Sequence, residues 1–384
     1  MKKFNIYAVA LATLTTFSCA QQEDEVPLPF GNDPISVNLR VAPSDLDSKK
    51  VETPAITGDL VDLNNGLVFF LNAQDDVVDV REMLTSEIKL PAGQTFNEIK
   101  PTATNVYIVA NAKFIDETLD GKLRACKTKV EIKAVSSSIA NQQTSHKFVI
   151  LSNTIDRTAY PTMDGVIKKE GSLFKACVLL APVLCRIQIA DIKGDGTIVS
   201  FKLGGIFIDN FYPLFYMATD NGGAGTIYSV GQNGANLGVG NGSILSDRPT
   251  NPIADGGDLK VTATDIAGFS GGSYVCGYQL APTSGGVANI PHIILMFTEI
   301  TVKNSDGAGN VVYSTPRYVT VKGFKNALGE DITKFVAGNI YNIPADGFVF
   351  GRKDLSDMPN PLNVSVSVCA TIKPWQVATI TPKL

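Results

Sequence analysis

Short apolar runs recur along the chain and are separated by glycine, asparagine, aspartate and proline. The runs are rich in valine, isoleucine, phenylalanine and tyrosine, which is typical of the strands of β-sandwiches. A helical period is weak and marks only two candidate helices, at residues 80–89 and 136–143. The pattern therefore predicts an all-β protein with few short helices. The clearest runs lie at residues 66–71, 105–110, 147–151, 185–190 and 293–298.

Two segments near the ends of the chain alternate apolar and polar residues without a break. Residues 35–41 read ISVNLRV, and residues 362–372 read LNVSVSVCATI. A period of two residues is typical of a strand with one buried face. Because both segments are apolar at every second position, we predict that a groove shaped for one accepts the other. The predicted inward positions are Ile35, Val37, Leu39 and Val41 in the first segment, and Leu362, Val364, Val366, Val368, Ala370 and Ile372 in the second.

The first residues have the composition of an export signal. Two lysines precede an apolar stretch at residues 6–18, which is too short to span a bilayer. Cys19 follows a small residue, as it does at the cleavage site of lipoprotein signals. We predict a signal peptide over residues 1–18, lipidation of Cys19 and a polar linker over residues 19–34. An ordinary secretory signal with an incidental cysteine is the alternative.

A polar stretch with a dibasic pair follows the first alternating segment. Lys49 and Lys50 stand between Pro43 and Pro54. An exposed and extended basic stretch is a good protease target, so we predict proteolytic processing at Lys49 or Lys50. A plain loop between two strands, with solvated lysines, is the alternative.

Length and charge limit the organisation of the chain. Its 384 residues suggest two domains. The formal net charge of −4 argues against a nucleic-acid-binding protein, which would carry a basic field. We place the domain boundary near residue 178. This predicts an N-terminal domain over residues 35–178, a C-terminal domain over residues 179–361 and a terminal segment over residues 362–384.

Patterns that suggest catalysis or metal binding are weak. Residues 268–272 match GxSxG, but a predicted strand follows where a nucleophile elbow needs a helix, and the chain has only two histidines. Residues 191–196 resemble the start of a calcium loop, but its twelfth position is Lys202 instead of glutamate. The five cysteines after Cys19 show no metal-ligand spacing. We expect no catalytic residue, metal or cofactor, although carboxylates that meet only in the folded chain leave no mark in the sequence pattern.

The order of several segments resembles the fimbrillins, the subunits of type V pili, over most of the chain. The resemblance implies two transthyretin-like β-sandwiches in tandem, exported as a lipoprotein to the outer membrane and the cell surface. The segments that carry it are Cys19, residues 35–41, Lys49 and Lys50, and residues 105–112, 180–189, 338–343 and 373–377.

The resemblance also implies a mode of assembly. A protease specific for arginine or lysine removes the first strand, and the C-terminal segment of another subunit fills the vacated groove. The implied partners are other fimbrial subunits, the maturing protease and, before processing, the outer membrane through the lipid anchor. We therefore expect a structural pilin. A tip or accessory adhesin that binds a glycan or host protein through loops such as residues 219–243 is the alternative, and a surface hydrolase is a third possibility without a supporting constellation.

Overall fold

The computed structural model describes most of the chain beyond the first 32 residues. The described parts are residues 33–43, 60–61, 63–84, 93–142, 149–153, 164–171, 173–189, 192–237, 240, 245–247, 253–255, 258–259, 276–344, 348–362, 366–374 and 376–377.

The first half of the described chain consists mainly of strands. Its strands are β1 (Ile35–Pro43), β2 (Leu60–Val61), β3 (Asn65–Leu71), β4 (Val77–Leu84), β5 (Gln94–Ile99), β6 (Asn105–Ala110), β7 (Ser136–Ser138), β8 (Leu151–Asn153), β9 (Lys168–Glu170) and β10 (Leu173–Pro182). Most of them form an eight-stranded sheet in the order β4-β3-β6-β8-β10-β1-β5, and β9 pairs with β10 beside this path. The all-β prediction is confirmed for this half.

The second half continues with shorter sheets around a seven-stranded one. Its strands are β11 (Cys185–Ile189), β12 (Ile192–Gly194), β13 (Ile198–Asp209), β14 (Leu214–Tyr216), β15 (Gly223–Ala224), β16 (Ser246–Asp247), β17 (Ile253–Asp255), β18 (Asp258–Leu259), β19 (Cys276–Leu280), β20 (His292–Lys303), β21 (Asn310–Tyr313), β22 (Arg317–Lys325), β23 (Asn339–Ile343), β24 (Val349–Phe350), β25 (Val366–Cys369), β26 (Thr371–Pro374) and β27 (Gln376–Val377). The seven-stranded sheet follows the order β16-β13-β20-β22-β25, with β17 on β13 and β21 on β20. A four-stranded sheet has the order β19-β11-β23-β26.

The chain passes from the first sheet to the next after Pro182. β10 pairs with β8 up to Pro182, two residues make the link, and β11 joins the four-stranded sheet at Cys185. The boundary predicted near residue 178 therefore lies inside β10. The apolar run continues through the link, because both strands are buried, so hydrophobicity alone does not mark the change of sheet.

The described parts of the two candidate helices predicted from the sequence are not α-helical. Within residues 80–89, the described part belongs to β4, and residues 136–143 hold β7 and a 3₁₀ turn at Ile139–Gln142. The helices lie between β6 and β7 instead. They are α1 (Ala112–Ile115), α2 (Glu117–Ala125) and α3 (Lys129–Ala134). None of them, nor any other helix in the described ranges, has the length and hydropathy of a membrane-crossing segment.

Two of these helices start at recognisable N-caps. The Asp116 side chain accepts a hydrogen bond from the Thr118 backbone N–H at the start of α2. Thr128 and Glu131 form a reciprocal capping box at the start of α3. The spacing of threonine and glutamate is a sequence signal for a helix start, and it is present in the chain. The weak apolar period of these short helices explains why periodicity missed them.

The two halves of the chain are joined by hydrogen bonds through a buried tyrosine. The hydroxyl group of Tyr107, on β6, donates to the Met217 carbonyl oxygen at 2.9 Å. The Met217 backbone N–H donates to the Val135 carbonyl oxygen at 3.0 Å, and β14 pairs with β7 beside it. Burial raises the pKa of Tyr107 well above its ordinary value, so this hydroxyl group stays protonated and remains a donor.

We expect Tyr107→Phe to lower the free energy of unfolding by about 1–3 kcal/mol, because it leaves the buried Met217 carbonyl group without this donor. Urea denaturation followed by tryptophan fluorescence and far-UV circular dichroism measures the change. The matched control is Tyr313→Phe, at a half-exposed tyrosine whose ring contacts Arg317. An equal effect of the two substitutions would contradict a joining role for Tyr107.

Candidate functional site

The first strand is an interior strand of its sheet. Residues 37–43 pair in parallel with residues 174–180 of β10, and residues 35–39 pair antiparallel with residues 94–99 of β5. Residues 37–39 therefore have strand neighbours on both edges, and residues 40–43 pair with β10. Loss of this strand would leave a slot between β10 and β5, with unpaired backbone groups along both sides.

One face of β1 lies in the hydrophobic core. Ile35, Val37, Leu39 and Val41 are 7%, 0%, 1% and 3% exposed, respectively, so the four residues predicted to face inward are buried. Burial of an aliphatic side chain is worth roughly 1.5–3 kcal/mol before the cost of ordering the chain. This row of four is the main apolar contribution of β1, and it is the row that a replacement strand has to supply.

The other face of β1 makes polar contacts at the surface. The Ser36 hydroxyl group donates to Asn97 Oδ1 at 2.9 Å, and Asn38 Nδ2 donates to Thr95 Oγ1 at 3.2 Å. Arg40 is exposed. Exposed polar contacts of this kind contribute little to stability compared with the buried row.

A glycine at the start of β5 lets the backbone of β1 come close. Gly93 has a φ of 75°, and a Cβ built on it would lie 2.6 Å from the Leu39 carbonyl oxygen. The residue thus combines a left-handed backbone with a contact to β1 that no side chain fits. Gly93 therefore lies where the backbone of β1 packs closely against the start of β5.

The C-terminal segment is docked on its own subunit as an edge strand. β25 pairs in parallel with residues 321–325 of β22. Val366, Val368 and Ala370 are buried, whereas the residues between them, Ser367 and Cys369, are exposed. The predicted alternation of faces is therefore present over residues 366–370.

The remaining predicted inward positions behave differently. Leu362 lies ahead of β25 and is 75% exposed. Val364 lies outside the described residues, and only the backbone of Ile372 is described, opposite Tyr341 of β23. The alternation predicts a single strand over residues 362–372, and the structure divides this run.

The division falls at Ala370. β25 belongs to the seven-stranded sheet, whereas β26 pairs antiparallel with residues 339–342 of β23 in the four-stranded sheet. The Ala370 backbone N–H still donates to the Lys325 carbonyl oxygen at 2.7 Å. The change of sheet at Ala370 leaves the alternation of apolar and polar residues intact, so it has no sequence signal.

The residues ahead of β25 are fastened to β22, and we call residues 356–361 the C-terminal clamp. Thr320 Oγ1 donates to the Pro359 carbonyl oxygen at 2.7 Å, and Lys322 Nζ donates to the Pro361 carbonyl oxygen at 2.5 Å. Burial lowers the pKa of Lys322. Thr320 and Lys322, which are two residues apart on β22, therefore bind successive parts of the clamp.

The buried carboxylate group of Asp209 connects the C-terminal clamp to the glycine-rich loop at residues 219–243. Asp209, at the end of β13, is fully buried. Its Oδ1 accepts from the Val230 backbone N–H at 2.8 Å, and its Oδ2 accepts from Asn360 Nδ2 at 3.1 Å. His292 Nδ1 lies 3.6 Å from the same Oδ2. Sequence reasoning missed this cluster, because its members come from four distant parts of the chain.

The loop at residues 219–243 is packed over its described part. The Tyr228 ring lies 5.2 Å from that of Phe211, and its hydroxyl group donates to the Asn236 carbonyl oxygen at 2.5 Å. Phe211 and Tyr228 also form an isolated antiparallel β-bridge.

The other candidate sites of the sequence are placed as follows. Cys19, Lys49, Lys50 and the GxSxG residues lie outside the described residues. Residues 192–198 form a strand, a turn and the start of the next strand, in agreement with the turn favoured over a calcium loop. In the described parts of the chain, no three histidine, cysteine, aspartate or glutamate side chains come together as metal ligands.

Comparison with solved structures identifies the fold. A candidate cell adhesion protein from Bacteroides eggerthii aligns with a TM-score of 0.55 and 16% identity over 90% of this chain and 97% of its own. A fimbrilin from Porphyromonas gingivalis aligns with a TM-score of 0.51 and 16% identity over 91% and 99%. The chain has the fold of these fimbrilin and adhesion structures. No family model and no curated protein sequence matches it.

The same fold recurs in a candidate cell adhesion protein from Parabacteroides distasonis, which aligns with a TM-score of 0.52 and 12% identity over 89% of this chain and 99% of its own. At such low identity the comparisons show the architecture alone. The resemblance to fimbrillins is therefore confirmed as a resemblance of fold.

We expect Gly93→Ala to loosen β1 and to destabilise the protein by more than the roughly 1–2 kcal/mol that a left-handed alanine costs, because the new methyl group meets the Leu39 carbonyl group. Thermal unfolding and the rate of proteolysis near β1 measure the effect. Gly171→Ala is the control, since Gly171 also has positive φ, at 65°, but open space around its Cβ position. Equal losses of stability in the two variants would show that the left-handed backbone, and not the close contact with β1, causes the loss.

Proposed function

We propose that the protein is a structural subunit of a type V fimbria, exported as a lipoprotein, trimmed at its N-terminus and polymerised by strand donation. The observation that carries the proposal is the position of β1. It is an interior strand with a fully buried apolar face, and a dibasic pair follows it in the sequence. Removal of such a strand creates a vacancy that only another strand fills well.

The C-terminal segment is suited to fill the vacancy. Its described alternating part, residues 366–370, offers the same apolar row as β1 and places small residues on the outer face. Among the described strands of its own subunit, β25 has one neighbour, β22, and β26 also has one, β23. In the slot between β10 and β5 the segment would have two neighbours. Transfer would add a second ladder to the part of the segment that lies opposite β5, at about 0.5–1.5 kcal/mol net for each hydrogen bond, while β26 gives up its ladder with β23.

Processing explains when assembly begins. While β1 occupies the slot, both ladders are complete and the core is closed, so the subunit is a stable monomer. A cut at Lys49 or Lys50 severs β1 from the rest of the chain. Once the severed strand dissociates, it is diluted into the solvent and does not rebind. Because each donor enters a different subunit, the contact runs head to tail and does not close on itself, which gives a filament.

An adhesin at the tip is the second candidate. It depends on binding by surface loops such as residues 219–243, but the described part of that loop is anchored by Tyr228 and Asp209. The C-terminal segment with a paired apolar row favours a subunit that donates a strand. We therefore place the structural subunit first.

A single substitution tests whether β1 has to leave. Arg40 stands opposite Cys177 in the parallel pairing of β1 with β10. Adjacent strands are about 4.7–4.9 Å apart, within the Cα separation of disulfides, so Arg40→Cys should form a disulfide bond with Cys177. We expect the oxidised variant to be cut normally but to retain β1 and stay monomeric, and reduction to restore polymerisation. Size-exclusion chromatography and electron microscopy measure assembly.

The control for this experiment is Ser36→Cys, which adds a thiol on the same face of β1 before its pairing with β10 begins at Val37. It should polymerise with or without reductant. Polymerisation of the oxidised, fully cross-linked Arg40→Cys variant would refute displacement of β1.

A second experiment addresses the cut. We expect the double substitution Lys49→Ala and Lys50→Ala to abolish trimming and filament formation in cells, since the basic side chains that the protease recognises are gone. Mass spectrometry of the mature N-terminus reads the outcome. The control pair is Lys168→Ala and Lys169→Ala, which removes an exposed dibasic pair on β9. Normal maturation of the Lys49 and Lys50 variant would place the cut elsewhere.

A further inference from the structure

We propose that adjacent subunits are joined by a disulfide bond between Cys369 of the donor strand and Cys177 of the receiving subunit. The inference rests on the proposed function, because it requires the donor strand to occupy the place of β1. Its evidence is independent of the comparisons: it comes from the strand pairing of β1 and from the faces on which two free thiols lie.

Cys177 lies on the wall of the slot. It belongs to β10, is half-buried as a free thiol, and stands opposite Arg40 of β1. Arg40 is on the outer face of β1, between the buried residues Leu39 and Val41. A residue that replaces Arg40 in the slot is therefore the cross-strand neighbour of Cys177.

Cys369 lies on the outer face of the donor strand, as Arg40 does on β1. It is an exposed free thiol between the buried residues Val368 and Ala370. When these two residues face the core of the receiving subunit, the Cys369 side chain points to the outer face, as Arg40 does in β1. The two thiols thus share a face in any register that keeps the apolar row inward.

Three registers, two residues apart, place apolar residues at all four inward positions. With Leu362 in the place of Ile35, no residue is left to cross between the clamp, which ends at Pro361, and the next subunit. With Val366 in that place, Ala370 replaces Leu39 and leaves a cavity. In the same register Ile372 takes the place of the smaller Val41. A cavity and an overpacked position both lower the stability of the core, so this register is unfavourable.

The middle register keeps a link and overfills no position, and it spreads the lost volume over small truncations, the largest being Ala370 in the place of Val41. Val364 takes the place of Ile35, and two residues, Leu362 and Asn363, remain as a link of up to about 7 Å. Each inward side chain is then no larger than the one it replaces. In this register Cys369 takes the place of Arg40 and stands opposite Cys177. The strand spacing of about 4.7–4.9 Å lies within the Cα separation of disulfide bonds.

The first strand protects Cys177 before assembly. Burial raises the pKa of the Cys177 thiol, which lowers the fraction of reactive thiolate while β1 is in place. Removal of β1 exposes the Cys177 thiol at the stage of assembly at which the donor strand binds. The order of events therefore favours a bond to the donor over bonds to other thiols.

The bond is formed by thiol–disulfide exchange with a small disulfide oxidant such as oxidised glutathione. One thiolate attacks the oxidant and releases one glutathione thiolate, and the second cysteine displaces the other glutathione from the mixed disulfide. The two cysteines lose two electrons and two protons in all, and the oxidant is reduced to two thiols. Outside the cell, where the export signal would direct the chain, such bonds persist.

The test uses filaments assembled from trimmed full-length protein, treated with oxidised glutathione and then alkylated. We expect a ladder on a denaturing gel that collapses to monomer with reductant, and mass spectrometry that finds the peptide of Cys369 linked to the peptide of Cys177. Cys177→Ser and Cys369→Ser should each abolish the ladder but leave filaments visible by electron microscopy. Cys126→Ser, at a buried thiol far along the chain, should retain both.

The outcomes separate the inference from the function on which it rests. Filaments without this linked peptide, or with Cys369 linked to itself, overturn the disulfide and leave strand donation intact. Trimmed protein that forms no filaments in reductant or oxidant overturns both. A Cys177–Cys369 bond within untrimmed monomers would also overturn the inference, because it needs no donor strand.

Discussion

The number of neighbours that a strand has is the constraint on which the rest of this structure depends. β1 has two, and its inner face is closed against the core, whereas β25 and β26 have one neighbour each among the described strands. A strand with two neighbours satisfies its backbone on both edges, and its absence exposes two ladders at once. In the proposed exchange the part of the donor opposite β5 would gain the second neighbour that β25 lacks at home, while β26 would give up its ladder with β23.

The clamp determines how much of the C-terminus takes part in such an exchange. Residues 356–361 are held by Thr320, Lys322 and the buried carboxylate of Asp209, and the edge strands follow directly. Release of β25 and β26 breaks one ladder each, whereas release of the clamp would also break the hydrogen bonds of Thr320 and Lys322 and remove the Asn360 donor from the buried Asp209 carboxylate group. In the proposed exchange the donor would therefore leave its subunit from a fixed point just after Pro361.

The sequence predicts the local part of this arrangement and misses the part that depends on pairing. Alternation identifies the buried face of β1 and of residues 366–370, because a period of two is a property of each strand alone. It does not show that β1 is an interior strand, that the run divides at Ala370, or that the first sheet extends to Pro182. These features depend on which strands are neighbours. At the link from β10 to β11, burial on both faces also removes the polar residues that would mark the change of sheet.

Strand direction gives the proposed filament its polarity. β1 runs parallel to β10 and antiparallel to β5, and a donor reproduces both ladders only if it enters with the same direction. Its C-terminal end then leaves the slot where Pro43 does, at the side from which the severed loop departs. In the middle register Thr371 and Ile372 take the places of Ala42 and Pro43, and Lys373 and Pro374 follow the donor out of the slot at that side. Each subunit thus receives and donates with one chain direction, so successive subunits repeat the same contact without inversion.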